Sequence, residues 1–147
     1  MFERFMNKRV LIIPLNWGMG HATRCIPLIE SLIKVKANIY ISGSGVSGHY
    51  LKHRFNHLTF LKDLPDYNIT YPKKGVSFMS MMKQWPKMEK AIWEENHWLK
   101  EQQEKYQFDF ILSDHRFGIY HNSAINILIA HQLNPILPFG FAALNFI

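Results

Sequence analysis

The sequence predicts an α/β domain with a mainly parallel sheet between two layers of helices. Short runs of almost wholly apolar residues recur along the chain, for example at residues 10–15 and 125–130. Parallel strands that are covered on both faces have this composition. These runs alternate with segments whose apolar residues recur at helical spacing, and glycines follow the first two runs, as they do where a strand turns into a helix.

The first strand is predicted over residues 10–15, and a glycine loop with Gly18 and Gly20 follows it. A helix is predicted over about residues 22–35, because its apolar residues fall on one face. Proline is tolerated well only in the first turn of a helix, so Pro27 predicts that this helix begins later or bends. The free N–H groups of its first turn would point into the glycine loop and favour an anion there.

The second strand is predicted over residues 37–42, and the glycine-rich sequence GSGVSG follows it. We interpret Gly43, Gly45 and Gly48 as a turn, because no Gly-Lys-Ser/Thr follows as in a phosphate-binding loop. Contact with a ligand is the alternative. A short helix to about residue 55, a strand over 58–61 and an irregular connection over 64–74 come next.

Residues 76–105 are predicted to be helical, with an interruption near Pro86. Methionines and tryptophans alternate there with lysines and glutamates. Two interpretations stay open: an amphipathic helix pair that packs on the sheet, or a pliable surface at residues 78–99 for a lipid or hydrophobic acceptor.

Two further strands are predicted at residues 108–113 and 125–130, the second of them buried. Polar residues follow three of the predicted strands, and ligands of open α/β sheets bind outside the carboxyl ends of the strands. We therefore expect these polar residues to meet in one crevice. They are residues 16–21, then Asp114, His115 and Arg116, and finally His131 and Gln132.

The composition indicates one globular domain over residues 1–147. No apolar run reaches the roughly 18–20 residues of a membrane span, and the N-terminus is too polar for a secretory signal. The single cysteine, Cys25, fits a reducing cytoplasm and is expected to be a small core residue. The apolar end, residues 135–147, suggests that a larger protein would continue beyond it.

The formal net charge of +6 favours anionic partners such as nucleotides or phospholipid head groups. The basic residues are spread along the chain, and no helix-turn-helix, zinc-finger or aromatic RNA-binding pattern is present. We therefore expect no nucleic-acid partner.

His21 beside the glycine loop is a candidate general base, and Asp114 is a candidate partner that orients it and stabilises its imidazolium form. The alternatives are a loop histidine satisfied by backbone groups and an aspartate that caps a following segment. His21, Asp114 and His131 lack close ligand spacing, so no metal site is expected. The Gly18–Gly20 pair is a poor dinucleotide fingerprint, because Thr23 stands where a third glycine belongs.

The segment NWGMGHATRCIPLIESL resembles the start of the N-terminal domain of GT-B glycosyltransferases. The likeness is to the bacterial group related to the lipid-linked N-acetylglucosaminyltransferase of peptidoglycan synthesis and to UDP-glucuronosyltransferase-like proteins. Gly18, Gly20, His21 and Pro27 match its glycine loop, Gly-His pair and helix with a proline. The segments ILSDHRFGIYH and IAHQL also resemble such proteins, and the likeness covers about residues 8–135.

The resemblance implies a Rossmann-like, acceptor-binding half of a UDP-sugar-dependent transferase, with His21 as base and Asp114 as its support. The candidate substrate-binding residues are Asn16, Gly18, Gly20, Ala22, Arg24, His115, Arg116, His131 and Gln132. The resemblance also implies a second, C-terminal domain that binds the donor, which a chain of 147 residues has no room for. We therefore expect the chain to be inactive alone, and we expect neither a cofactor nor a bound metal.

The implied acceptor is a sugar or a lipid-linked sugar. The implied location is the cytoplasm, with residues 78–99 as a candidate contact with the inner membrane surface. Dimerisation through the surface that a donor domain would cover is a further hypothesis.

Two other classes of function stay open from the sequence. One is a non-catalytic module that binds an anionic ligand at the basic edge of the sheet. The other is a stand-alone Rossmann-type nucleotide-binding protein, against which the missing third glycine argues.

Overall fold

The computed structural model of the protein describes residues 2–66 and 85–130. The predictions for residues 67–84 and 131–147 lie outside the described residues. A short 3-10 helix spans Phe2–Phe5. The strands are β1 (Arg9–Pro14), β2 (Asn38–Ser42), β3 (Thr59–Leu61), β4 (Phe110–Asp114) and β5 (Ile125–Ile129). The helices are α1 (Met19–Lys34), α2 (Gly45–Arg54) and α3 (Trp85–Tyr106).

The five strands form one parallel sheet in the order β3-β2-β1-β4-β5. This arrangement confirms the predicted α/β, Rossmann-like fold. The chain leaves β1 towards β2 and β3, and later returns to the other side of β1 with β4 and β5. Strands β1 and β4 therefore flank the point where the strand order reverses, which is where ligands of such sheets bind.

Each face of the sheet is covered by helices. Val10 and Ile12 of β1 lie in one core cluster with residues of α1 and α2. Leu11 and Ile13 lie in a second cluster, together with Trp98 of α3. Because successive side chains of a strand point to opposite faces, the wholly apolar β1 contributes to both clusters. The result is the predicted three-layer sandwich.

Helix α1 begins at Met19, earlier than predicted, and Pro27 lies inside it. The expectation that Pro27 would delay the start of the helix is therefore wrong. Proline cannot donate to the carbonyl four residues before it, which here belongs to Thr23. The helix continues through this position, and the Ser31 hydroxyl donates to the Pro27 carbonyl at 2.7 Å.

Two of the three glycines after β2 lie inside helix α2 rather than in a loop, which corrects the sequence prediction. Only Gly43 and Ser44 connect β2 to the helix, which begins at Gly45. Gly45 has a φ of +53°, and a Cβ there would overlap the side chain of Asn16. A Cβ at Gly48 would overlap the Gly43 backbone. Close packing therefore accounts for Gly45 and Gly48 without a ligand.

Strand β5 lies at an edge of the sheet, and its burial differs from the prediction of a buried strand. In the described part of the chain, Ile125 is 49% exposed and Leu128 is 48% exposed. The connection from β4 to β5 is short and contains no helix. Within residues 2–66 and 85–130, β5 therefore lacks the helix that a crossover between parallel strands usually supplies.

Helix α3 is amphipathic and packs on the sheet, as one of the two interpretations of this segment predicts. Trp98 and Leu99 are buried against the second core cluster, whereas Trp93 is 61% exposed. Pro86 is the second residue of the helix, where proline removes no internal hydrogen bond. In the described ranges, no helix has both the length and the apolar character that crossing a membrane requires.

Candidate functional site

The carboxyl ends of β1 and β4 are adjacent, and this neighbourhood builds the site. Pro14 at the end of β1 is paired with Asp114 at the end of β4. The Leu15 amide continues the ladder by donating to the Asp114 carbonyl at 3.0 Å. The loop that follows β1 therefore leaves the sheet directly beside Asp114.

The glycine loop places His21 in the first turn of α1. Gly18 precedes the helix with a φ of +96°, a left-handed conformation that glycine adopts without a steric cost. Its carbonyl accepts a hydrogen bond from the Ser47 hydroxyl at 2.9 Å, which fixes the loop to α2. No side chain caps the start of α1. His21 is the third residue of the helix, and its side chain is directed at β4.

His21 and Asp114 form a hydrogen-bonded pair, the pair that the sequence proposes as base and support. His21 Nδ1 lies 3.0 Å from Asp114 Oδ2. The side chain of Asp114 is fully buried, and that of His21 is 10% exposed. A carboxylate at Nδ1 favours the tautomer with the proton on that nitrogen, so the lone pair resides on Nε2. This is the arrangement that a general base requires.

The same carboxylate is shared with a second imidazole. His115 Nδ1 lies 2.9 Å from Asp114 Oδ1, and the two histidine rings meet edge to face with centroids 5.4 Å apart. His115 has a φ of +57°, an uncommon conformation for a side-chain-bearing residue. The Arg24 guanidinium lies 3.6 Å from the same Oδ1 and is 35% exposed. Asp114 is thus surrounded by three groups that stabilise its negative charge.

Cys25 lies on the next turn of α1 and is shielded from solvent. Its pKa is raised to about 12, first by burial and second by the negative charge of Asp114. The thiol therefore stays protonated at neutral pH, which agrees with the interpretation of Cys25 as a core residue.

The sequence proposes Arg116 as a substrate-binding residue. In the structure its side chain is buried near the carboxyl edge of the sheet. Its side chain and that of Glu95 are fully buried and form an ion pair of 2.7 Å. The guanidinium also donates to the carbonyls of Pro14 and Pro65 and to the Ser44 hydroxyl. Arg116 therefore connects α3 with the loops that follow β1, β2 and β3.

Glu95 is a residue of this network that sequence reasoning missed. Its second carboxylate oxygen accepts from the Gly118 amide at 3.0 Å, and a Cβ at Gly118 would contact α3. In the sequence, a buried glutamate of an amphipathic helix cannot be told from a solvent-exposed one, because other charged residues stand near both. The only signal was Arg116, a cation that a buried position requires to be paired.

The remaining predicted residues are distributed as follows. The Asn16 side chain donates to Asp66 at 2.9 Å and packs on Gly45, so it faces the loops after β2 and β3. Gly20 is exposed in the first turn of α1. Ala22 is fully buried in the core, so the prediction that it binds substrate is wrong. His131 and Gln132 lie outside the described residues.

His21, Asp114 and His115 also form a group with the donor set of a metal site. One ligand atom from each lies within 4.8 Å of the others. The sequence analysis has His131 as the third member and His115 as a substrate-binding residue, and it expects no metal. Sequence spacing does not select His115, because it directly follows Asp114 and adjacent strand residues ordinarily point to opposite faces.

A groove of about 900 Å³ lies at the opposite edge of the sheet. It is lined by residues at the amino ends of β1, β4 and β5, including Arg9, Phe110 and Ile125, and by the end of α3. His21, Asp114 and His115 do not line this groove. The candidate catalytic residues therefore lie at the carboxyl edge of the sheet.

No protein-family model matches the chain, and no curated protein matches it. A similar solved structure is the glycosyltransferase of kitacinnamycin, with a TM-score of 0.57 and 11% identity. The alignment covers 84% of this chain and 30% of that chain, so this chain spans less than a third of its length. At this identity the comparison shows a glycosyltransferase-like fold. A domain of PF1911 hydrogenase from Pyrococcus furiosus aligns with a TM-score of 0.45 and 6% identity, over 84% of this chain and 93% of that one.

Proposed function

We propose that this chain is the acceptor-binding half of an inverting, nucleotide-sugar-dependent glycosyltransferase of the bacterial group named above. The observation that carries the proposal is the 3.0 Å contact between His21 and the buried Asp114 at the reversal point of the sheet. The glycosyltransferase-like fold supports the choice of reaction over other uses of such a pair.

In this proposal His21 acts as the general base. Its Nε2 accepts the proton of an acceptor hydroxyl while that oxygen attacks the anomeric carbon of the donor sugar. A new C–O bond forms, and the bond to the nucleoside diphosphate breaks and leaves its electron pair on the phosphate. Asp114 remains ionised and stabilises the imidazolium that forms, which is the function of the carboxylate in a hydrolase triad.

The surroundings of the pair suit an acceptor that approaches a negatively charged donor. The uncapped first turn of α1 directs N–H groups towards the loop around Gly18, which favours negative charge. The positive charge of Arg24 and the formal net charge of +6 also favour a negatively charged group there. We assign the acceptor contacts to the edge formed by Asn16, Gly18, Gly20 and His115, with His131 and Gln132 as further candidates.

The donor-binding half would be supplied by a second domain, which we place after Ile147 in a longer protein. The coverage of 30% of the kitacinnamycin glycosyltransferase supports this view, because a whole enzyme of that size has room for another domain. The chain alone would then lack the donor site and would not transfer sugar.

The test is turnover by the longer protein, measured as UDP released from a panel of UDP-sugars with extracted cell lipids and carbohydrates as acceptors. His21→Ala should lower turnover on the order of a hundredfold or more, which is the usual contribution of a general base. Asp114→Asn should lower it as well, with little change in the melting temperature.

His53→Ala provides the matched control, because His53 is an exposed histidine of α2 that contacts neither Asp114 nor His21 in the described residues. Its turnover should equal that of the wild type. Wild-type turnover in His21→Ala would refute the base, and a collapsed melting temperature in Asp114→Asn would mark Asp114 as structural.

A further inference from the structure

We propose that His21, Asp114 and His115 bind a divalent d-block cation of the zinc class. The proposal concerns binding of a metal and does not depend on which sugar is transferred. It rests on the ligand atoms that these three residues offer and on the distances between those atoms.

The spacing is close to that of a metal site. In a tetrahedral zinc site with ligands at about 2.1 Å, neighbouring ligand atoms lie about 3.4 Å apart. The two imidazole–carboxylate distances are 3.0 and 2.9 Å, and one ligand atom from each of the three residues lies within 4.8 Å of the others.

The donor set selects the class of cation. Two imidazoles and one carboxylate suit Zn²⁺, Co²⁺ or Ni²⁺, whereas Mg²⁺ and Ca²⁺ prefer oxygen ligands. Three protein ligands leave a fourth position for water or an acceptor hydroxyl. Arg24 lies 3.6 Å from Asp114 Oδ1 and opposes the cation by its charge, but as a 35% exposed side chain it can turn towards solvent.

Binding of the cation and action as a base exclude each other. A neutral imidazole has one lone pair, because its other ring nitrogen carries the proton. A cation bound to His21 Nδ1, the nitrogen that faces Asp114, requires the proton to move to Nε2, so the ring could no longer serve as the base of the proposed function. The same cation also binds the Asp114 carboxylate, which would otherwise stabilise the imidazolium form of His21.

The experiment is titration of the 147-residue chain with Co²⁺, followed by its visible d–d absorption, and with Zn²⁺ by competition. We expect one equivalent to bind. His115→Asn should weaken binding at least tenfold, a loss typical of disrupted metal sites. Asparagine tolerates the left-handed backbone of position 115, so this variant should keep the fold, which circular dichroism checks.

His53→Asn is the control and should bind Co²⁺ as the wild type does. The proposal is overturned if Co²⁺ produces no d–d bands, if His115→Asn binds like His53→Asn, or if Mg²⁺ competes equally. A second readout is the melting temperature, which Zn²⁺ should raise in the wild type and not in His115→Asn. Both measurements need no sugar substrate, so their failure is distinct from a failure of the transfer proposal.

Discussion

At the scale of single residues, Asp114 determines the chemistry of the site. Its buried carboxylate is hydrogen-bonded to the imidazoles of His21 and His115, and it attracts the guanidinium of Arg24. The pKa of the Cys25 thiol is raised first by burial and second by the negative charge of Asp114. The reactivity of this thiol therefore reports on the site.

We expect Cys25 to react slowly with iodoacetamide in the folded protein at pH 8.5. Its pKa rises from 9.0 in a model thiol to about 12 in the fold, so the nucleophilic thiolate is depleted. Alkylation should be about a hundredfold or more slower than in urea, as measured by mass spectrometry. Equal rates in the folded and unfolded chain would contradict this burial.

The same shift predicts the direction of a pH effect on stability. The unfolded chain loses the thiol proton above pH 9, whereas the fold retains it until about pH 12. Ionisation therefore favours the unfolded state in this window, and the contribution of Cys25 to stability falls as the pH rises through it. Cys25→Ser should reduce that fall in urea titrations.

At the scale of elements, the loops at the carboxyl edge are joined by packed glycines and by one buried ion pair. Gly45 begins α2 against Asn16 of the loop after β1. Arg116 and Glu95 join α3 to the loops after β1, β2 and β3. Both features predict how substitutions should change stability.

Gly45→Ala should destabilise the chain by about 1–3 kcal/mol. A φ of +53° penalises any Cβ, and this Cβ would also overlap Asn16. In the double variant Asn16→Ala/Gly45→Ala the overlap disappears while the backbone penalty remains. Urea unfolding should show a smaller loss for the double variant than the sum of the two single losses, and simple additivity would refute the overlap.

Arg116→Met should destabilise the chain by about 3–5 kcal/mol, because it removes the cation that forms an ion pair with the buried Glu95 carboxylate. The combination Glu95→Gln/Arg116→Met should cost less than the sum of the single variants, since the unpaired charge is gone. The control is Arg54→Met, which breaks the exposed pair of 2.9 Å with Glu30 and should cost far less, because solvent screens that pair. Similar losses for Arg54→Met and Arg116→Met would contradict the buried network.

At the scale of the whole molecule, the sequence predicts the sheet and the principal pair but not the network beneath them. Apolar periodicity locates the five strands of the described residues, and the rule that ligands bind at carboxyl ends brings His21 to Asp114. The buried position of Arg116, the participation of Glu95 and the contact of His115 with its own neighbour depend on tertiary packing. No local pattern records these contacts. The same holds for the exposure of β5, because an apolar run does not reveal whether a neighbouring helix covers it.

A prediction at this scale follows from the proposal that a second domain binds the donor. Calorimetric titration with UDP should then show no binding to the 147-residue chain and measurable binding to a longer protein that contains the proposed second domain. The reason is that the nucleotide contacts would come mainly from the second domain. Binding of UDP by the short chain, or tight binding of NAD(P), would instead favour a stand-alone nucleotide-binding protein.

The guanidinium of Arg116 has a consequence for the entropy of ligand binding. It fastens the ends of three strands and one helix in a single hydrogen-bonded unit. Loops that are already ordered lose little conformational freedom when a ligand arrives, whereas each mobile, rotamer-rich side chain would cost about 0.5–1.5 kcal/mol to immobilise. The carboxyl edge is therefore preorganised, and a ligand that binds there, such as the proposed acceptor, would retain more of its contact energy for the positioning of its reactive group.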